Sequence, residues 1–396
     1  MDQQAGFQWR PAGPVTVDGR PLPEDAAGAS ALARDLVALR GAIRAGAEFS
    51  TGPQGVAVVR GGEPGQFRSR SGGTTGPAKA IRRSHASWRA SFAVNRDRLG
   101  VTGADRYAVP GAPAHSLALY AVVEAADLGA GLDVLAGLGP RAQVRAMAEA
   151  GSTILYATPT QLRLLCEAGG ALPALRHVLC GGGAMPPGLA ARLAALCPQA
   201  RLRQFYGAAE TSFVAWDEGG APPGSVGRPY PGVELRIADP VDGIGEIWVR
   251  SPYLFGGYAE GGSPKTRWQG GFLSVGEMGG LDADGHLRVV GRRSRMVTIA
   301  DRNVFPEAIE ALLAQAPGVT HCAVLPRPCP RRGTVLVAVV AGALDAAAGD
   351  ALLARCRAAF GPLAAPRALH RLARFPLTVA GKPDLARIAR LLEAGQ

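Results

Sequence analysis

The segment Ser71-Gly-Gly-Thr-Thr-Gly-Pro-Ala-Lys79 is the clearest local signal in this chain of 396 residues. An apolar strand predicted at 55–59 leads toward it, and a helical stretch begins near Ser84. Its small residues allow successive backbone N–H groups to turn toward one anion, the threonine hydroxyls add donors, and Lys79 adds a positive charge. The segment therefore predicts a phosphate-binding loop between a strand and a helix.

This loop differs from a Walker A loop, which needs adjacent Gly and Lys residues followed by Ser or Thr. Here Gly76 and Lys79 are separated, and Ala80 follows the lysine. Runs of Gly, Ser and Thr also form flexible linkers, and a linker is the alternative interpretation of the segment taken alone.

Downstream of the loop, from residue 104 to about 206, apolar strand-like runs alternate with helical stretches rich in Ala, Leu and Arg. The strands are predicted at 106–109, 153–156 and 177–180, and the helices at 141–150, 160–168 and 187–196. A helix is also predicted upstream of the loop, at 29–45. This alternation predicts a layered α/β core.

Between residues 224 and 291 the chain changes to short strands separated by glycines, which is typical of an antiparallel β subdomain. These strands are predicted at 233–237, 245–249, 271–275 and 287–290. After Arg292 a strand, a helix at 306–316, strands at 322–325 and 335–340, and a helix at 345–360 follow.

Because the chain is longer than one core usually supports, we predict two folding units. The first, 1–292, is a large layered α/β domain with the β subdomain, and the second, 293–396, is a small, mobile α+β domain.

The composition, 47% hydrophobic and 19% charged residues, is that of a folded globular protein. The sequence shows no signal peptide and no apolar run long enough to span a membrane, so we expect a cytoplasmic protein. The six cysteines are scattered without CxxC spacing, which argues against a zinc site or a disulfide scaffold. The net charge of +11 favours anionic partners such as nucleotides, coenzyme A or an acidic carrier protein. Nucleic acid is disfavoured, because no dense basic block is interleaved with aromatic residues.

Beyond the loop, a colinear series of motifs between about residues 70 and 387 resembles the adenylate-forming superfamily. This superfamily includes acyl-CoA and aryl-CoA synthetases, luciferases and peptide-synthetase adenylation domains. The matching segments are the phosphate loop Ser71–Lys79, His115, Gly181-Gly-Gly-Ala184, Gln204-Phe-Tyr-Gly-Ala-Ala-Glu-Thr211 (similar to YGxTE), Gly224-Ser-Val-Gly-Arg-Pro229, Gly245-Glu-Ile-Trp-Val-Arg-Ser251, Phe272-Leu-Ser-Val-Gly-Glu-Met-Gly279, Asp282-Ala-Asp-Gly285, Gly291-Arg292 and Pro376-Leu-Thr-Val-Ala-Gly-Lys382.

The resemblance implies a two-step reaction. A carboxylic acid and ATP give acyl-AMP and pyrophosphate with Mg²⁺, and a pantetheine thiol of coenzyme A or of a carrier protein then displaces AMP. Attack on the α-phosphorus builds negative charge that cations and hydrogen-bond donors must stabilise. The implied catalytic residues are Lys382, Glu210, which also binds Mg²⁺, and His115, beside the acyl pocket. A medium aliphatic or aromatic acid is the substrate class that the resemblance favours.

The resemblance also implies a set of nucleotide-binding residues. They are Ser71, Gly73, Thr74, Thr75, Gly76 and Lys79 at the phosphates, Gly181, Gly182 and Gly183 along adenine, Tyr206, Gly207 and Ala208 in the YGxTE-like motif, and Glu277 and Arg292 near the ribose. Four residues also have a simpler interpretation without a functional role. In that interpretation Glu210 is a surface carboxylate, Lys382 is a lysine of a basic tail, His115 is a histidine of the core, and Tyr206 is an aromatic residue that packs in the core.

Several positions depart from the superfamily pattern. The substituted residues are Ala78 and Ala80 in the loop, Ala209 in YGxTE, Glu277 in place of the ribose-binding aspartate, and Ser294, Thr298 and Asp301 in the hinge segment. The hinge substitutions Ser294, Thr298 and Asp301 predict a larger effect on thiol transfer than on adenylation. Together with Ala209 they leave a catalytically degenerate nucleotide-binding or partner-binding homologue as the alternative. The early position of the loop suggests a reduced N-terminal subdomain, which opens the acyl pocket or requires a partner chain.

Overall fold

The computed structural model describes residues 6–70, 79–299, 302–378 and 382–395. The predicted phosphate-binding residues Ser71, Gly73, Thr74, Thr75 and Gly76 lie outside these ranges, as does Asp301 of the predicted hinge. Among the residues described, none of the helices combines the length and apolarity needed to cross a lipid bilayer.

The helices and strands of the described residues are numbered in chain order. The helices are α1 (Ala31–Arg44), α2 (His85–Leu99), α3 (Ser116–Leu128), α4 (Pro140–Ala150), α5 (Pro159–Ala168), α6 (Leu189–Leu196), α7 (Pro306–Leu313), α8 (Ala346–Ala364) and α9 (Leu385–Glu393). The strands are β1 (Val15–Val17), β2 (Arg20–Pro21), β3 (Phe49–Gly52), β4 (Gly55–Val58), β5 (Gln66–Arg70), β6 (Ala80–Ser84), β7 (Arg106–Val109), β8 (Gly131–Val134), β9 (Ile154–Ala157), β10 (His177–Cys180), β11 (Arg201–Ala208), β12 (Ser212–Asp217), β13 (Arg228–Pro229), β14 (Glu234–Val241), β15 (Ile244–Arg250), β16 (Gly257–Glu260), β17 (Arg267–Gln269), β18 (Phe272–Ser274), β19 (Glu277–Leu281), β20 (Leu287–Arg292), β21 (Val297–Ile299), β22 (Arg302–Val304), β23 (Val319–Cys329), β24 (Gly333–Gly342) and β25 (Leu369–Arg371).

The largest sheet has the strand order β13-β12-β11-β10-β9-β7-β8-β1-β2, and its strands from β11 to β1 run parallel. Successive residues of its central strands point to opposite faces, as strand geometry requires. In β9, Ile154 and Tyr156 join the core on the α3 side, while Leu155 and Ala157 pack with α4, α5 and α6. Helices on both faces of a parallel sheet confirm the predicted layered α/β fold.

The predicted bounds agree closely with this sheet. β7 and β10 have the bounds predicted from their apolar runs. Helices α4 and α5 begin one residue earlier than predicted, at Pro140 and Pro159. Proline suits that first helical position because the N–H group it lacks has no partner within the helix.

A second sheet, β16-β6-β5-β3-β4, corrects one prediction about the phosphate loop. The loop was expected between the strand at 55–59 and a helix. In the sequence it instead stands between the antiparallel strands β5 and β6, and α2 begins at His85 with Ser84 as its N-cap, as predicted. β5 was missed because its sequence, Gln-Phe-Arg-Ser-Arg, is mostly polar, and its core contact comes from Phe67.

The segment before Arg292 forms the predicted antiparallel β subdomain, a sheet ordered β17-β18-β15-β19-β20 with β14 beside β15. After Arg292 come the hairpin β21-β22 and the sheet β23-β24-β25, which packs against α7 and α8 on one face and α9 on the other. This agrees with the predicted small α+β unit, and β20 ends at Arg292. The domain boundary between residues 292 and 293 stays a prediction.

An acidic side chain lies in the middle of the core between α2, α3 and β9. Glu124 is fully buried. Its Oε2 accepts a hydrogen bond from Tyr156 Oη at 2.5 Å, and its Oε1 accepts one from Asn95 Nδ2 at 2.7 Å and one from Tyr120 Oη at 3.1 Å. Burial raises the pKa of Glu124 to about 7, although these donors oppose the shift.

This raised pKa predicts a pH-dependent stability. The unfolded chain releases the proton near pH 4.5 and the folded chain near 7, so between these values the folded chain binds more protons and its stability falls as pH rises. We expect the Glu124 carboxyl by itself to lower the free energy of unfolding by about 3 kcal/mol between pH 5 and 8. Glu124→Gln should remove this contribution, because an amide has no titratable proton.

Urea unfolding at several pH values measures the difference. Glu149→Gln, at an exposed carboxylate of α4, serves as the matched control and should keep the wild-type pH slope. If Glu124→Gln retained the wild-type slope as well, another group would be responsible for it.

Candidate active site

The glycine segment and the YGxTE-like motif lie at the same edge of the large sheet. Gly181, Gly182 and Gly183 directly follow β10, and residues 206–208 end the parallel neighbour β11. Ligands of parallel α/β sheets bind outside the carboxyl ends of the strands. A Cβ at position 181 would lie 2.2 Å from Cζ of Phe205, so glycine is needed for this ring to pack beside the segment.

Tyr206 and Glu277, predicted to contact adenine and ribose, are brought together. The Tyr206 phenol donates a hydrogen bond to Glu277 Oε2, and burial and this carboxylate raise the pKa of Tyr206 well above its usual value. A β-bulge follows Tyr206, where a Cβ on Gly207 would lie 1.8 Å from the Ser212 carbonyl oxygen. Glycine is therefore required to turn the end of β11.

Lys382 and Arg292 complete this cluster. Glu277 pairs with Arg292 in the β19–β20 register, and Glu277 Oε1 lies 3.5 Å from Arg292 Nη2. Burial, together with the charge of Arg292, lowers the pKa of Lys382, while Glu277 opposes the shift. The backbone of Lys382 is held by Thr378, whose N–H donates to its carbonyl at 2.7 Å. Arg292 and Glu277 thus pair on neighbouring strands, and Lys382 of the C-terminal loop lies within the electrostatic reach of both.

Glu210 lies in a second, adjoining group. It accepts a hydrogen bond at 2.9 Å from Tyr258 Oη, which lies 2.8 Å from the Thr266 hydroxyl. Lys79 Nζ lies 5.5 Å from the centre of the Tyr258 ring. Burial raises the pKa of Tyr258 to about 12, and Glu210 adds to the shift. Lys79 and Glu210 therefore face the same tyrosine, although they are 131 positions apart in the sequence.

His115 is exposed, so its interpretation as a core histidine is wrong. It is the residue before α3, and its side chain makes no capping hydrogen bond. Because it follows β7, which runs parallel to β9 and β10, it lies toward the same edge of the sheet as the glycine segment.

These groups fit ATP and one Mg²⁺ ion. Lysine and arginine side chains supply donors for phosphates, and Glu277 offers acceptors for ribose hydroxyls. Mg²⁺ in nucleotide enzymes is bound by one or two carboxylates together with substrate phosphates, which is the donor set that Glu210 provides. A different group of possible ligands is formed by the exposed Asp282 and Asp284 and the half-buried His286. The Asp282 carboxylate already accepts hydrogen bonds from the backbone N–H groups of Asp284 and His286.

Comparison with known families agrees with this geometry. A model of the AMP-binding enzyme family matches residues 71–259, and a model of the AMP-binding enzyme C-terminal domain matches residues 308–382. A Bacillus subtilis protein named as an uncharacterized acyl-CoA ligase, YhfT, is 31% identical over 331 residues, covering 81% of this chain and 67% of the relative. The chain belongs to the adenylate-forming superfamily of AMP-binding enzymes.

Solved structures of the superfamily show the same architecture. The amide bond synthetase McbA of Marinactinospora thermotolerans is 27% identical with a TM-score of 0.71, covering 83% of this chain and 70% of that protein. The o-succinylbenzoate CoA synthetase of B. subtilis has a TM-score of 0.71 at 24% identity, covering 81% and 68%. The chain spans 58 to 67% of the length of the first three curated relatives that it matches.

The substituted hinge residue Ser294 stands between two arginines that form ion pairs. Arg293 Nη2 lies 3.2 Å from Oε2 of the buried Glu246 on β15, and Arg295 Nη2 lies 2.6 Å from Glu310 Oε1 on α7. Ser294, between these arginines, is exposed. The superfamily aspartate is therefore replaced by a small side chain flanked by two anchored cations.

Three further residues at the site were not found by sequence reasoning. Arg83 is buried against the Ala209 carbonyl, Tyr258 binds Glu210, and Lys265 lies within the electrostatic reach of Arg292 and Lys79. None of them belongs to a motif of the superfamily that we identified. Each comes from a separate segment, and only the folded chain places it beside the predicted residues.

Proposed function

We propose that the protein is an AMP-forming acid–thiol ligase. In the first step a carboxylate oxygen attacks the α-phosphorus of ATP, the bond from the α-phosphorus to the bridging oxygen breaks, and pyrophosphate leaves. In the second step the sulfur of a pantetheine thiol attacks the acyl carbon, AMP leaves, and the thiol proton passes to solvent. The observation that carries the proposal is that Glu277 contacts both Tyr206 and Arg292, with Lys382 within the electrostatic reach of Arg292 and Glu277.

In this proposal each side chain has one task in the first step. Lys382 approaches the α-phosphate and the attacking carboxylate, where charge accumulates in the transition state. Glu277 accepts hydrogen bonds from the ribose, which then replaces the Tyr206 phenol as its partner. Tyr206 stacks on adenine against the glycine segment 181–183. Mg²⁺ held by Glu210 neutralises phosphate charge when it is bound.

For the second step we propose coenzyme A as the acceptor, with an acyl carrier protein as the alternative thiol. McbA is named for amide bond synthesis, so amines belong in the acceptor panel. The anchored hinge residues Arg293 and Arg295 support a hinge that survives the substitution at Ser294. We place the reaction in the cytoplasm, and propose an aliphatic or aromatic acid of medium size, with His115 beside the acyl group.

Pyrophosphate release from the purified protein tests this proposal. The assay supplies ATP, Mg²⁺ and a panel of aliphatic, aryl and amino acids, with hydroxylamine to trap activated acyl groups as hydroxamates. A hydroxamate from one acid class supports adenylation and names the substrate; coenzyme A, a pantetheinylated carrier and simple amines then replace hydroxylamine in turn. A protein that binds ATP yet forms no hydroxamate across the panel supports the degenerate homologue instead.

A further inference from the structure

Lysine is rare in this chain, and its positions are informative. Lysine and arginine together number 43, yet Lys79, Lys265 and Lys382 are the only lysines. A lysine ammonium is a compact point charge with three donors, whereas guanidinium is planar and forked. Two of the three lysines already have predicted roles at the nucleotide.

The third lysine is placed next to both groups of the site. Lys265 lies against the turn before Glu277, since a Cβ on Gly276 would lie 3.5 Å from Cβ of Lys265. The residue after it, Thr266, lies 2.8 Å from the Tyr258 hydroxyl, and that hydroxyl binds Glu210. Lys265 thus stands next to two groups of residues. One contains Glu277 and is named here the Lys382 cluster, and the other contains Tyr258 and is named the Glu210 cluster.

The charges around Lys265 are mostly positive. Partial desolvation and the charges of Arg292 and Lys79 lower its pKa, and Arg292 also acts on Lys382 in this direction. Among the described residues, the two clusters contain four cationic side chains, Lys79, Lys265, Arg292 and Lys382, and two carboxylates, Glu210 and Glu277. Cations that repel one another across an open site are stabilised by an anion that contacts several of them.

We propose that Lys265 is a phosphate-binding residue that, together with Lys79, holds the β- and γ-phosphates of ATP and the pyrophosphate product. The inference rests on the proposed function and adds to it a residue for the leaving group. Lys382 then serves the α-phosphate side of the breaking bond, and Lys265 the pyrophosphate side. Lys265 packs against the turn before Glu277, and the residue after it contacts Tyr258 beside Glu210, so an anion bound at Lys265 faces both groups of the site.

The scarcity of lysine allows a direct test. An amine-reactive acetylating reagent modifies the three lysines, and mass spectrometry follows each of them separately. With magnesium-bound ATP or pyrophosphate at about ten times its Kd, labelling of Lys265 should slow about tenfold, whereas AMP, which lacks the outer phosphates, should leave it unchanged. Lys382 should be protected by ATP and by AMP.

The two proposals fail in different ways. If calorimetry shows ATP binding and Lys382 is protected while Lys265 labels at its free rate, the role of Lys265 is overturned and the proposed function stands. Absence of ATP binding overturns both.

Substitution gives an independent readout. Lys265→Ala should raise KM for ATP about tenfold, the size of a lost charge-assisted hydrogen bond, and Lys265→Arg should recover part of it. Arg288→Ala, at an exposed residue of β20, removes one positive charge nearby and should leave KM unchanged. An equal rise of KM for ATP in Lys265→Ala and Arg288→Ala would mean that the effect comes from the loss of one positive charge, and it would overturn the assignment.

Discussion

Lys382→Ala should lower the rate of acyl-AMP formation at least about a hundredfold, because preorganised donors contribute that much to transition states with developing charge. Lys382 lies within the electrostatic reach of Arg292 and Glu277, and its pKa is lowered by burial and by Arg292. The ammonium is therefore partly desolvated and held where we place the α-phosphate. The measurement is hydroxamate formation under single-turnover conditions with saturating ATP and acid.

The same variant should retain most of its activity in the second step. Attack of coenzyme A on acyl-adenylate supplied from outside needs no charge on the α-phosphorus to be stabilised, so its rate should stay within about threefold of the wild type. Arg387→Ala, at an exposed residue of α9, is the control for loss of one cation in the same unit, and it should leave both steps unchanged. Equal losses in the two steps of Lys382→Ala would contradict the assignment.

The sequence pattern predicted the strands that are buried on both faces of the sheet. β7 and β10 are buried on both faces, and their apolar runs end where the strands end. The sequence pattern did not predict β5 and β19, for two different reasons. β5 is largely polar, and β19, Glu-Met-Gly-Gly-Leu, contains two glycines; a Cβ on Gly279 would lie 2.2 Å from the Arg288 carbonyl oxygen of β20.

Site residues that belong to sequence motifs could be predicted. Site residues that are recognised only by their contacts in the folded chain could not. Tyr206 and Glu277 were both named from sequence, but their hydrogen bond joins residues 71 positions apart. Tyr258 and Arg83 carry no motif, and their importance comes from the atoms that they meet. Lys265 had a compositional signal, the scarcity of lysine, although only its proximity to Arg292 and Lys79 gives that signal a meaning. The roles of the loop residues 71–76 stay predictions.

Arg83→Ala should destabilise the fold by about 3 to 5 kcal/mol, which would make it the most damaging single change in the site. Arg83 is 1% exposed. Its Nη2 donates to the Ala209 carbonyl at 2.6 Å and its Nη1 donates to the Tyr253 carbonyl at 2.6 Å. Alanine would leave both carbonyls without these donors in a buried place and would open a cavity between β6 and the YGxTE-like motif.

The expected loss concerns activity as well as stability, because Ala209 directly precedes Glu210. Burial lowers the pKa of Arg83 to about 10, and the Glu210 carboxylate opposes the shift, so the guanidinium also faces the proposed Mg²⁺ ligand electrostatically. At a temperature where Arg83→Ala is still folded, its KM for magnesium should rise. Arg83→Lys keeps the charge and one donor, so its KM for magnesium should lie between those of the wild type and Arg83→Ala.

Arg82→Ala is the matched control for Arg83→Ala, since Arg82 is the preceding residue of β6 and pairs with Glu63 at 3.2 Å on the surface. Exposed ion pairs of this kind contribute about 0 to 1 kcal/mol. Urea unfolding and circular dichroism should therefore separate two adjacent arginines of one strand by several kcal/mol. A similar, small loss in both variants would mean that water or neighbouring groups satisfy the Ala209 and Tyr253 carbonyls, and the Glu210 segment would then be held without Arg83.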